Sequence, residues 1–356
     1  MSYCLGCLKD FQSKSNIYCP TCRKYLFGNV SVLPLDFDKT QFYQHRQELA
    51  PRMSISGVQD KISLQLIGKK LTPTDVDGHY ILKPVPSSTL MHPEDIVPNE
   101  HLSMQISSQI YGIPTALSGV IPFKDGELAY IVKRFDYAKD GTKLDQEDFA
   151  SVLNRNEASE GEAYKYSGNY ALIAEAIKRV IPTSVLELEN FYKRVLLNYL
   201  IGNGDAHLKN FSIYRPFERD DYILTPNYDL LYTKYHINET IGEMALDLFE
   251  DDDSMAYNML GYYSMMDFEE FSQLLGLPKK RMKKLFQNVF ESVDTVKNLT
   301  ARSFLSEQGK FDYLNNYINR LEKRIGYSFG YSETTPSVIK PAADAYFEKR
   351  NRLNPK

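Results

Sequence analysis

The sequence predicts an α+β fold in which a small mixed part precedes a mostly helical part. Polar and apolar residues alternate along Lys61–Ile67, as they do in a half-buried strand. The segments Leu117–Pro122 and Leu128–Lys133 flank a Lys124-Asp125-Gly126 turn and predict a hairpin. From about residue 145 the pattern changes to long amphipathic segments. A length of 356 residues also predicts two packed units.

The composition is typical of a folded protein. Hydrophobic residues make up 43% of the chain and charged residues 25%, which excludes intrinsic disorder. Lys and Arg number 42 and Asp and Glu 46, a net charge of −4, so no global basic field attracts nucleic acid. The sequence contains neither an apolar run of transmembrane length nor the apolar core of a signal peptide. A cytoplasmic location and no membrane partner are therefore expected.

The first half supplies the elements of a small antiparallel sheet. A short helix is expected near Gln41–Leu49, before the first strand. Gly68-Lys69-Lys70 turns the chain, and His79–Lys83 is the next strand after an Asp77-Gly78 turn signal. A helix is expected to start at Pro98-Asn99-Glu100 and to end near Gly112, with apolar residues recurring every fourth position between them.

The second half is predicted to be helical with one interruption. Its amphipathic segments are Tyr170–Val180, Val185–Leu200, Asp267–Leu275, Lys279–Val293 and Phe311–Ile325. Between the second and third of them, GNGDAHLKNFSIY and YILTPNYDLLY each contain a short strand-like piece. These two pieces predict a β-hairpin inserted into the helical part.

All four cysteines lie near the amino terminus, at Cys4, Cys7, Cys19 and Cys22. Two Cys-x2-Cys pairs separated by eleven residues supply the four thiolates of a tetrahedral structural zinc site. Two disulfides and a redox Cys-x-x-Cys are the alternatives. A reducing compartment disfavours the first, and the second lacks an adjoining βαβ pattern. A closed four-thiolate site has no open position, so its expected role is structural.

The inserted hairpin carries the richest set of polar side chains. Asp205, His207, Lys209 and Asn210 lie within six residues, and Asp229 follows in the next strand-like segment. An Asp that accepts a hydroxyl proton, together with Asn and Asp oxygens for Mg²⁺, is what phosphoryl transfer requires. The alternative is a polar turn whose side chains satisfy their own backbone.

Two further segments favour phosphoryl transfer over a simple turn. The segment Met53–Lys61 reads MSISGVQDK, a Ser/Gly loop that can offer hydroxyls and backbone N–H groups to phosphate. It has neither the G-x-G-x-x-G spacing of dinucleotide-binding loops nor the G-x-x-x-x-G-K-[ST] spacing of the P-loop. Lys83 ends a strand from which it can reach the α- and β-phosphates, and Glu100 can orient it. The alternative for Lys83 is an edge lysine that discourages aggregation. Together the sites predict a two-lobed ATP-dependent phosphotransferase.

Seven collinear motifs resemble the HipA-like serine/threonine kinases, the toxins of bacterial toxin–antitoxin systems. They are SISGVQDK, ILKP, PNEH, VKRFDY, DQEDF, NYLIGNGDAHLKNFSI and LTPNYDLL, and the resemblance covers roughly residues 50–330. The chain is most similar to the short toxin kinase (HipT-like) of the three-gene HipBST systems, because little sequence precedes SISG. The resemblance implies a bilobal protein-kinase-like fold with a mixed α+β small lobe, a mostly helical large lobe and, as an addition here, the zinc knuckle.

The resemblance also implies roles for individual residues. Asp205 would be the catalytic base, Asn210 and Asp229 would hold Mg²⁺, and His207 of the same motif would also belong to the cofactor-binding set. The remaining residues would bind ATP, and they are Lys83 at the phosphates, Lys133, Phe135 and Asp136 at the adenosine, and the loop residues Ser54, Ser56, Gly57, Val58 and Gln59. Autophosphorylation of Ser54 or Ser56 would silence the kinase, because a phosphate in that loop repels ATP.

The implied organisation is a Cys4 knuckle over residues 1–28, an N-terminal kinase lobe over 29–140 and a helical catalytic lobe over 141–356. The implied ligands are ATP, Mg²⁺ and a structural Zn²⁺. The implied partners are a protein substrate such as an aminoacyl-tRNA synthetase, a HipB-like helix-turn-helix antitoxin and a small HipS-like accessory protein, with DNA reached only through the antitoxin. Asp60 departs mildly from the family pattern, and the knuckle has no counterpart in the longer toxins.

Two other functional classes remain open at this point. One is an inactive kinase-like module that binds protein or DNA through the knuckle. The other is a metal-dependent hydrolase with Asp205, His207 and Asp229 as ligands, which would turn over without ATP.

Overall fold

The computed structural model describes residues 3–13, 15–49, 60–86, 90–138, 140–237, 242, 244–250 and 254–326. Five residues that the sequence assigns to the phosphate loop lie outside this part of the chain, namely Ser54, Ser56, Gly57, Val58 and Gln59. The acidic residues 251–253 and the basic tail also lie outside it.

The amino-terminal segment brings the four cysteines together and then forms two helices, α1 (Pro20–Phe27) and α2 (Lys39–Leu49). Helix α1 begins after Cys19, whose side chain accepts a hydrogen bond from the backbone N–H of Cys22, and it has a proline in its first turn. Helix α2 confirms the short helix expected before the first strand.

The first sheet has five antiparallel strands in the order β2-β1-β3-β5-β4. Their bounds are Ile62–Ile67 (β1), Lys70–Pro73 (β2), Tyr80–Lys83 (β3), Ser118–Pro122 (β4) and Leu128–Lys133 (β5). The hairpin β4–β5 and the strands β1 and β3 match the sequence expectation. The sequence did not predict β2, because KLTP is too short and too polar to show a period.

The two faces of this sheet carry different cores. On one face, Leu82 and Ile131 pack with residues of the cysteine segment, α1 and α2. The other face receives α3 (Ile96–Gln109), a helix that is buried over nearly its whole length. Successive residues of a strand point to opposite faces, so the register decides which side chains face α3.

Helix α3 differs from its expected bounds. It starts at Ile96, after a 3₁₀ turn at Pro93–Asp95, and so places Pro98 inside its first turn, where no intrahelical donor is needed. It ends at Gln109, and Gly112 (φ 59°) lies beyond the end rather than at the cap.

The second half is helical, as predicted. Its helices are α4 (Phe149–Val152), α5 (Glu157–Glu160), α6 (Tyr170–Val180), α7 (Ser184–Ile201), α8 (Met255–Leu260), α9 (Met265–Leu274), α10 (Lys279–Glu291), α11 (Val293–Arg302) and α12 (Glu307–Asn319). None of the helices in the described ranges has the length and apolar composition that a membrane crossing needs.

The inserted hairpin is present, but it belongs to a three-stranded sheet. Strands β7 (Ser212–Tyr214) and β8 (Ile223–Leu224) pair antiparallel, and β6 (Gln146–Asp148) pairs with β7 from the other side. The sequence missed β6, because the charged and exposed QED segment has no strand pattern of its own. Asp229, expected on a strand, lies instead in the irregular segment after β8.

Candidate active site

The loop that carries Asp205 is fixed by polar contacts to its neighbours. Helix α7 ends at Gly202, whose φ of 77° is in the left-handed region and is best tolerated by glycine. The Gly204 N–H donates to Thr233 Oγ1 at 2.8 Å, and the Asp205 N–H donates to Asn203 Oδ1 at 3.2 Å. These contacts hold the Asp205 backbone, while its side chain remains 51% exposed.

His207, Asn210 and Asp229 are brought together by a single 3₁₀ turn. Asn210 Oδ1 accepts a hydrogen bond from the His207 N–H at 3.2 Å, and Asn210 Nδ2 donates to Asp229 Oδ2 at 3.2 Å. Asp229 has a φ of 59°, a left-handed conformation that aspartate adopts more readily than most residues. The turn and this backbone conformation together aim the Asp229 carboxylate at Asn210.

A buried lysine joins the small sheet to this loop. Lys83 Nζ lies 2.7 Å from Glu100 Oε1 on α3 and 2.8 Å from Asp229 Oδ1. The Lys83 side chain is 11% exposed and that of Glu100 only 4%, whereas that of Asp229 is 49% exposed. The Lys83–Glu100 pair that the sequence suggested is therefore present, and Asp229 completes a three-residue bridge between the sheet, α3 and the segment after β8, which Asn210 in turn joins to the Asp205 loop.

The charges of this bridge shift the pKa values of its members. Burial alone would lower the pKa of Lys83, but Asp229 and Glu100 hold it above its usual value. Burial raises the pKa of Glu100 to about 7, against the opposing effect of Lys83. The charge of Lys83 lowers the pKa of Asp229 and outweighs the effect of burial. Asp229 is therefore ionised at neutral pH, as a metal ligand must be.

Two other lysines reach the same site. Lys209 was expected there from its place beside Asp205 and Asn210 in the sequence, whereas Lys61 had been given no role of its own. Burial, and then the charge of Lys83, lowers the pKa of Lys61, which also interacts electrostatically with Asp229 and Lys209. Lys209 Nζ also donates to the hydroxyl of Tyr164 at 3.2 Å. Both residues stand inside the motifs SISGVQDK and DAHLKN, and that position was the available signal.

The three residues expected at the adenosine are not equivalent. The Phe135 ring lies 5.6 Å from the ring of Tyr228, the neighbour of Asp229, so it borders the site. Asp136 accepts hydrogen bonds from both Nε and Nη2 of Arg134. Lys133 is paired with Tyr80, on the sheet face opposite Lys83, and its Nζ points to the backbone oxygen of Tyr25 at 3.4 Å. The structure does not bring the Lys133 side chain to the Lys83 cluster.

The donor set around Asp229 fits Mg²⁺. Asp229 offers ionised carboxylate oxygens and Asn210 an amide oxygen, which are the hard ligands that this ion prefers. Asn210 turns its Nδ2 toward Asp229, and its Oδ1 accepts from the His207 N–H and keeps a second lone pair for an ion. Asn210 and Asp229 would hold the ion, with phosphate oxygens and water completing its coordination.

The cysteine cluster fits a four-thiolate metal site. The sulfur atoms of Cys4, Cys7, Cys19 and Cys22 all lie within 4.8 Å of one another, and none forms a disulfide. The backbone N–H groups of Gly6 and Cys19 donate to Cys4 Sγ at 3.4 and 3.1 Å, which stabilises a thiolate. Four converging sulfur atoms with N–H donors are what a tetrahedral zinc ion requires.

The cysteine cluster also contacts the helix that carries Glu100. His101 Nε2 lies 2.8 Å from the backbone oxygen of Gly6, and Gln109 Nε2 donates to that of Cys7 at 2.9 Å. Both side chains stand on α3. The position of α3 is therefore coupled to the cysteine segment.

The chain matches the family described as the HipA-like C-terminal domain over residues 53–297. A Haemophilus influenzae protein named "Putative kinase" is 26% identical over 343 residues, which cover 90% of this chain and 97% of that protein. A Sinorhizobium fredii protein named "Putative kinase Y4dM" is 34% identical over 229 residues, or 58% of this chain and 52% of that relative, so only about half of the relative is matched.

The fold also resembles a solved structure. A chain in the Shewanella oneidensis MR-1 toxin–antitoxin complex of HipA, HipB and operator DNA superposes with a TM-score of 0.56 at 20% sequence identity. The superposition covers 82% of this chain and 73% of that chain. This likeness shows a mixed α+β kinase-like fold.

Proposed function

This chain belongs to the HipA-like C-terminal domain family, and from that membership and the geometry of the site we propose that it is an ATP- and Mg²⁺-dependent serine/threonine protein kinase. The observation that carries the proposal is the bridge from Lys83 to Glu100 and Asp229, because it joins the sheet to α3 and, through the Asn210–Asp229 hydrogen bond, to the loop that carries Asp205. Kinase sites require a lysine that is oriented by a helix carboxylate and lies near a metal-binding aspartate.

Each residue has a role in the proposed reaction. The acceptor hydroxyl oxygen forms a bond to the γ-phosphorus of ATP as the bond to the bridging oxygen of the leaving ADP breaks. Asp205 takes the hydroxyl proton, and Lys83 neutralises charge on the phosphates. Mg²⁺, when bound, supplies further neutralisation across the phosphate oxygens. Positioning and electrostatics supply most of the rate.

The lysines support a phosphate-binding cleft. Lys61 and Lys209 add positive charge to that of Lys83 around Asp229, which attracts a triphosphate more strongly than a neutral cleft does. Phe135 offers an aromatic surface to the adenine ring, next to Tyr228. Asp136 would act by holding Arg134 in place, and the backbone N–H of His207 would support the turn by donating to Asn210 Oδ1.

Radiolabelled ATP tests the kinase proposal directly. Wild-type protein with Mg²⁺ should transfer label to its own chain or to proteins of a bacterial extract, and Asp205→Ala should lower the rate by at least about a hundredfold. Asp221→Ala is the matched control, because this aspartate, in the turn between β7 and β8, pairs with Arg219 and not with a residue of the site. Absence of label with the wild-type protein, or equal labelling by Asp205→Ala, would refute the kinase proposal.

We extend the proposal to regulation and partners. Ser54 and Ser56 are the proposed autophosphorylation sites, with Gly57, Val58 and Gln59 contacting ATP phosphates. The double Ser54→Ala/Ser56→Ala variant should stay active during preincubation with ATP while the wild type loses activity. Phosphopeptide mapping that finds the label elsewhere would contradict this placement.

The protein is further proposed to be the toxin of a HipT-like system. The solved complex of HipA with HipB and DNA supports a HipB-like antitoxin as partner. A small HipS-like accessory protein and a translation protein such as an aminoacyl-tRNA synthetase as substrate complete the proposal. Phosphoproteomics after brief expression, with Asp205→Ala as the control, would identify the substrate.

The proposed organisation follows the same division as the sequence, with a zinc-binding knuckle at 1–28, a small lobe at 29–140 and a catalytic lobe at 141–356. The converging sulfur atoms support the zinc site. Metal analysis of the purified protein should find about one zinc per chain. If the protein after zinc removal melts at the same temperature as the untreated protein, the proposal of a structural zinc site is refuted.

A further inference from the structure

The carboxylate of Asp205 is held by a tyrosine that the seven motifs do not contain. Among the described residues, Tyr166 is the one side chain that donates a hydrogen bond to Asp205, and its hydroxyl contacts Oδ1. His207 Nε2 is 3.8 Å from the same oxygen, beyond hydrogen-bond distance. Tyr166 is therefore the effective donor.

Tyr166 is itself fixed against the catalytic loop. Its ring packs edge-on against the ring of His207 with centroids 5.1 Å apart, and Lys165 Nζ lies 5.0 Å from its centroid. Two residues earlier, the hydroxyl of Tyr164 accepts a hydrogen bond from Lys209. The 3₁₀ turn Glu162–Tyr166 is thus tied to the catalytic loop at two points.

The phenol remains a donor over the working pH range. Burial, and then the hydrogen bond and charge of Asp205, raise the pKa of Tyr166 above its usual value. A protonated phenol beside an ionised carboxylate forms a charge-assisted hydrogen bond, which is stronger and more directional than a neutral one. The contact can therefore hold one carboxylate oxygen in place.

A half-exposed aspartate needs such a contact if it is to act as a base. With its side chain 51% exposed, Asp205 would otherwise rotate freely, and a general base must lie within about 2.6–3.2 Å of the proton that it takes. Because Oδ1 accepts from Tyr166, Oδ2 is left for the acceptor hydroxyl. We propose that Tyr166 is a positioning residue, which orients the Asp205 carboxylate toward the acceptor substrate. This inference rests on the proposed kinase function.

The test compares two Tyr→Phe variants, each of which removes a tyrosine hydroxyl that donates a hydrogen bond to an aspartate. Tyr166→Phe leaves Asp205 without its side-chain donor, whereas Tyr222→Phe removes a hydroxyl from an exposed contact with Asp145 beside the three-stranded sheet, where Arg215 still pairs with Asp145. The measurements are the rate of label transfer from saturating ATP to extract proteins, the Kd of a fluorescent ATP analogue with Mg²⁺, and the melting temperature.

Tyr166→Phe should lower the transfer rate about tenfold, since a misoriented base loses part of the hundredfold or larger effect of general base catalysis. Nucleotide affinity and melting temperature should stay at the wild-type values, and Tyr222→Phe should match the wild type throughout. Adding Tyr166→Phe to Asp205→Ala should cause no further loss of the residual rate, because the phenol acts through the carboxylate.

Several results would overturn the inference. An unchanged rate would show that Asp205 needs no orientation, and a faster rate would show that the phenol obstructs the acceptor. A tenfold loss on top of Asp205→Ala, or a matching loss of nucleotide affinity, would assign Tyr166 to the structure of the site. If the wild type itself transfers no label, the kinase proposal fails first, and the inference fails with it.

Discussion

The buried Lys83–Glu100 pair allows a sharp test by Lys83→Met. Methionine keeps most of the apolar stem of lysine and removes the charge, so Glu100 loses its partner at 2.7 Å while it remains buried. Removing one partner of a buried ion pair costs about 3–5 kcal/mol, because the remaining charge is uncompensated. Asp229 adds little to this cost, because its side chain is half exposed and water can solvate it.

The cost of Lys83→Met should depend on pH in a defined direction. Burial raises the pKa of Glu100 to about 7 from a usual 4.5, so folding favours the protonated acid. The stability that this raised pKa contributes is fully present below the pKa of Glu100 in the unfolded chain, and it is lost as the pH rises through the pKa of Glu100 in the folded protein. Without Lys83, the pKa of Glu100 in the folded protein rises further, because the charge that opposes the effect of burial is gone. The destabilisation should therefore be about 3 kcal/mol or more at pH 8 and fall to about 1 kcal/mol at pH 5.5.

Urea unfolding at the two pH values measures this difference. Lys70→Met is the matched control, because Lys70 pairs with Asp36 while the two side chains are 60% and 58% exposed. It should cost less than about 1 kcal/mol at either pH. Adding Glu100→Gln to Lys83→Met should recover stability at pH 8. Equal costs of Lys83→Met at both pH values, or a cost no larger than that of Lys70→Met, would refute the reasoning.

Three more predictions follow from the fold. Removal of metal from the cysteine site by a chelator should lower the melting temperature and weaken ATP-analogue binding, because the backbone oxygens of Gly6 and Cys7 bond to side chains of α3. Unchanged nucleotide binding after metal loss would contradict the coupling between the cysteine segment and α3. Phe135→Ala should weaken nucleotide affinity about tenfold and leave the Mg²⁺ dependence of binding unchanged, as measured by titration with an ATP analogue. An affinity equal to that of the wild type would contradict the placement of Phe135 at the adenine. Phe191→Ala, at a fully buried position, should cost about 3–5 kcal/mol in urea unfolding, and a loss below 1 would exclude a packed core there.

Much of the local structure could be predicted from the sequence. The β4–β5 hairpin followed from alternation around a Lys-Asp-Gly turn, and α6 from its apolar face, since periodicity is a property of neighbouring residues. Strand β6 could not be predicted in this way. Its exposed QED residues pair with β7, and that partner alone makes them a strand.

The residues of the candidate site likewise fall into those that the sequence could predict and those that it could not. Asp205, Asn210 and Lys83 could be named because motif spacing is local, and the resemblance gave them provisional roles. The face on which Lys133 lies depends on the register of β3 against β5, and it separates this lysine from Lys83. Tyr166 lies 39 residues before Asp205, outside every motif, so no spacing marked it.

The sequence by itself determined the α+β class, the helical second half, the two Cys-x2-Cys pairs and the polar residues from which a phosphoryl-transfer site is proposed. Only the tertiary structure decided which of these residues meet. Lys83 and Asp229 are 146 positions apart and come within 2.8 Å because α3 packs on one face of the sheet and Asn99 of α3 bonds to the backbone of Tyr232, three residues after Asp229. Periodicity and spacing report on neighbours in the chain, whereas contacts at this separation depend on how whole elements bury their apolar faces.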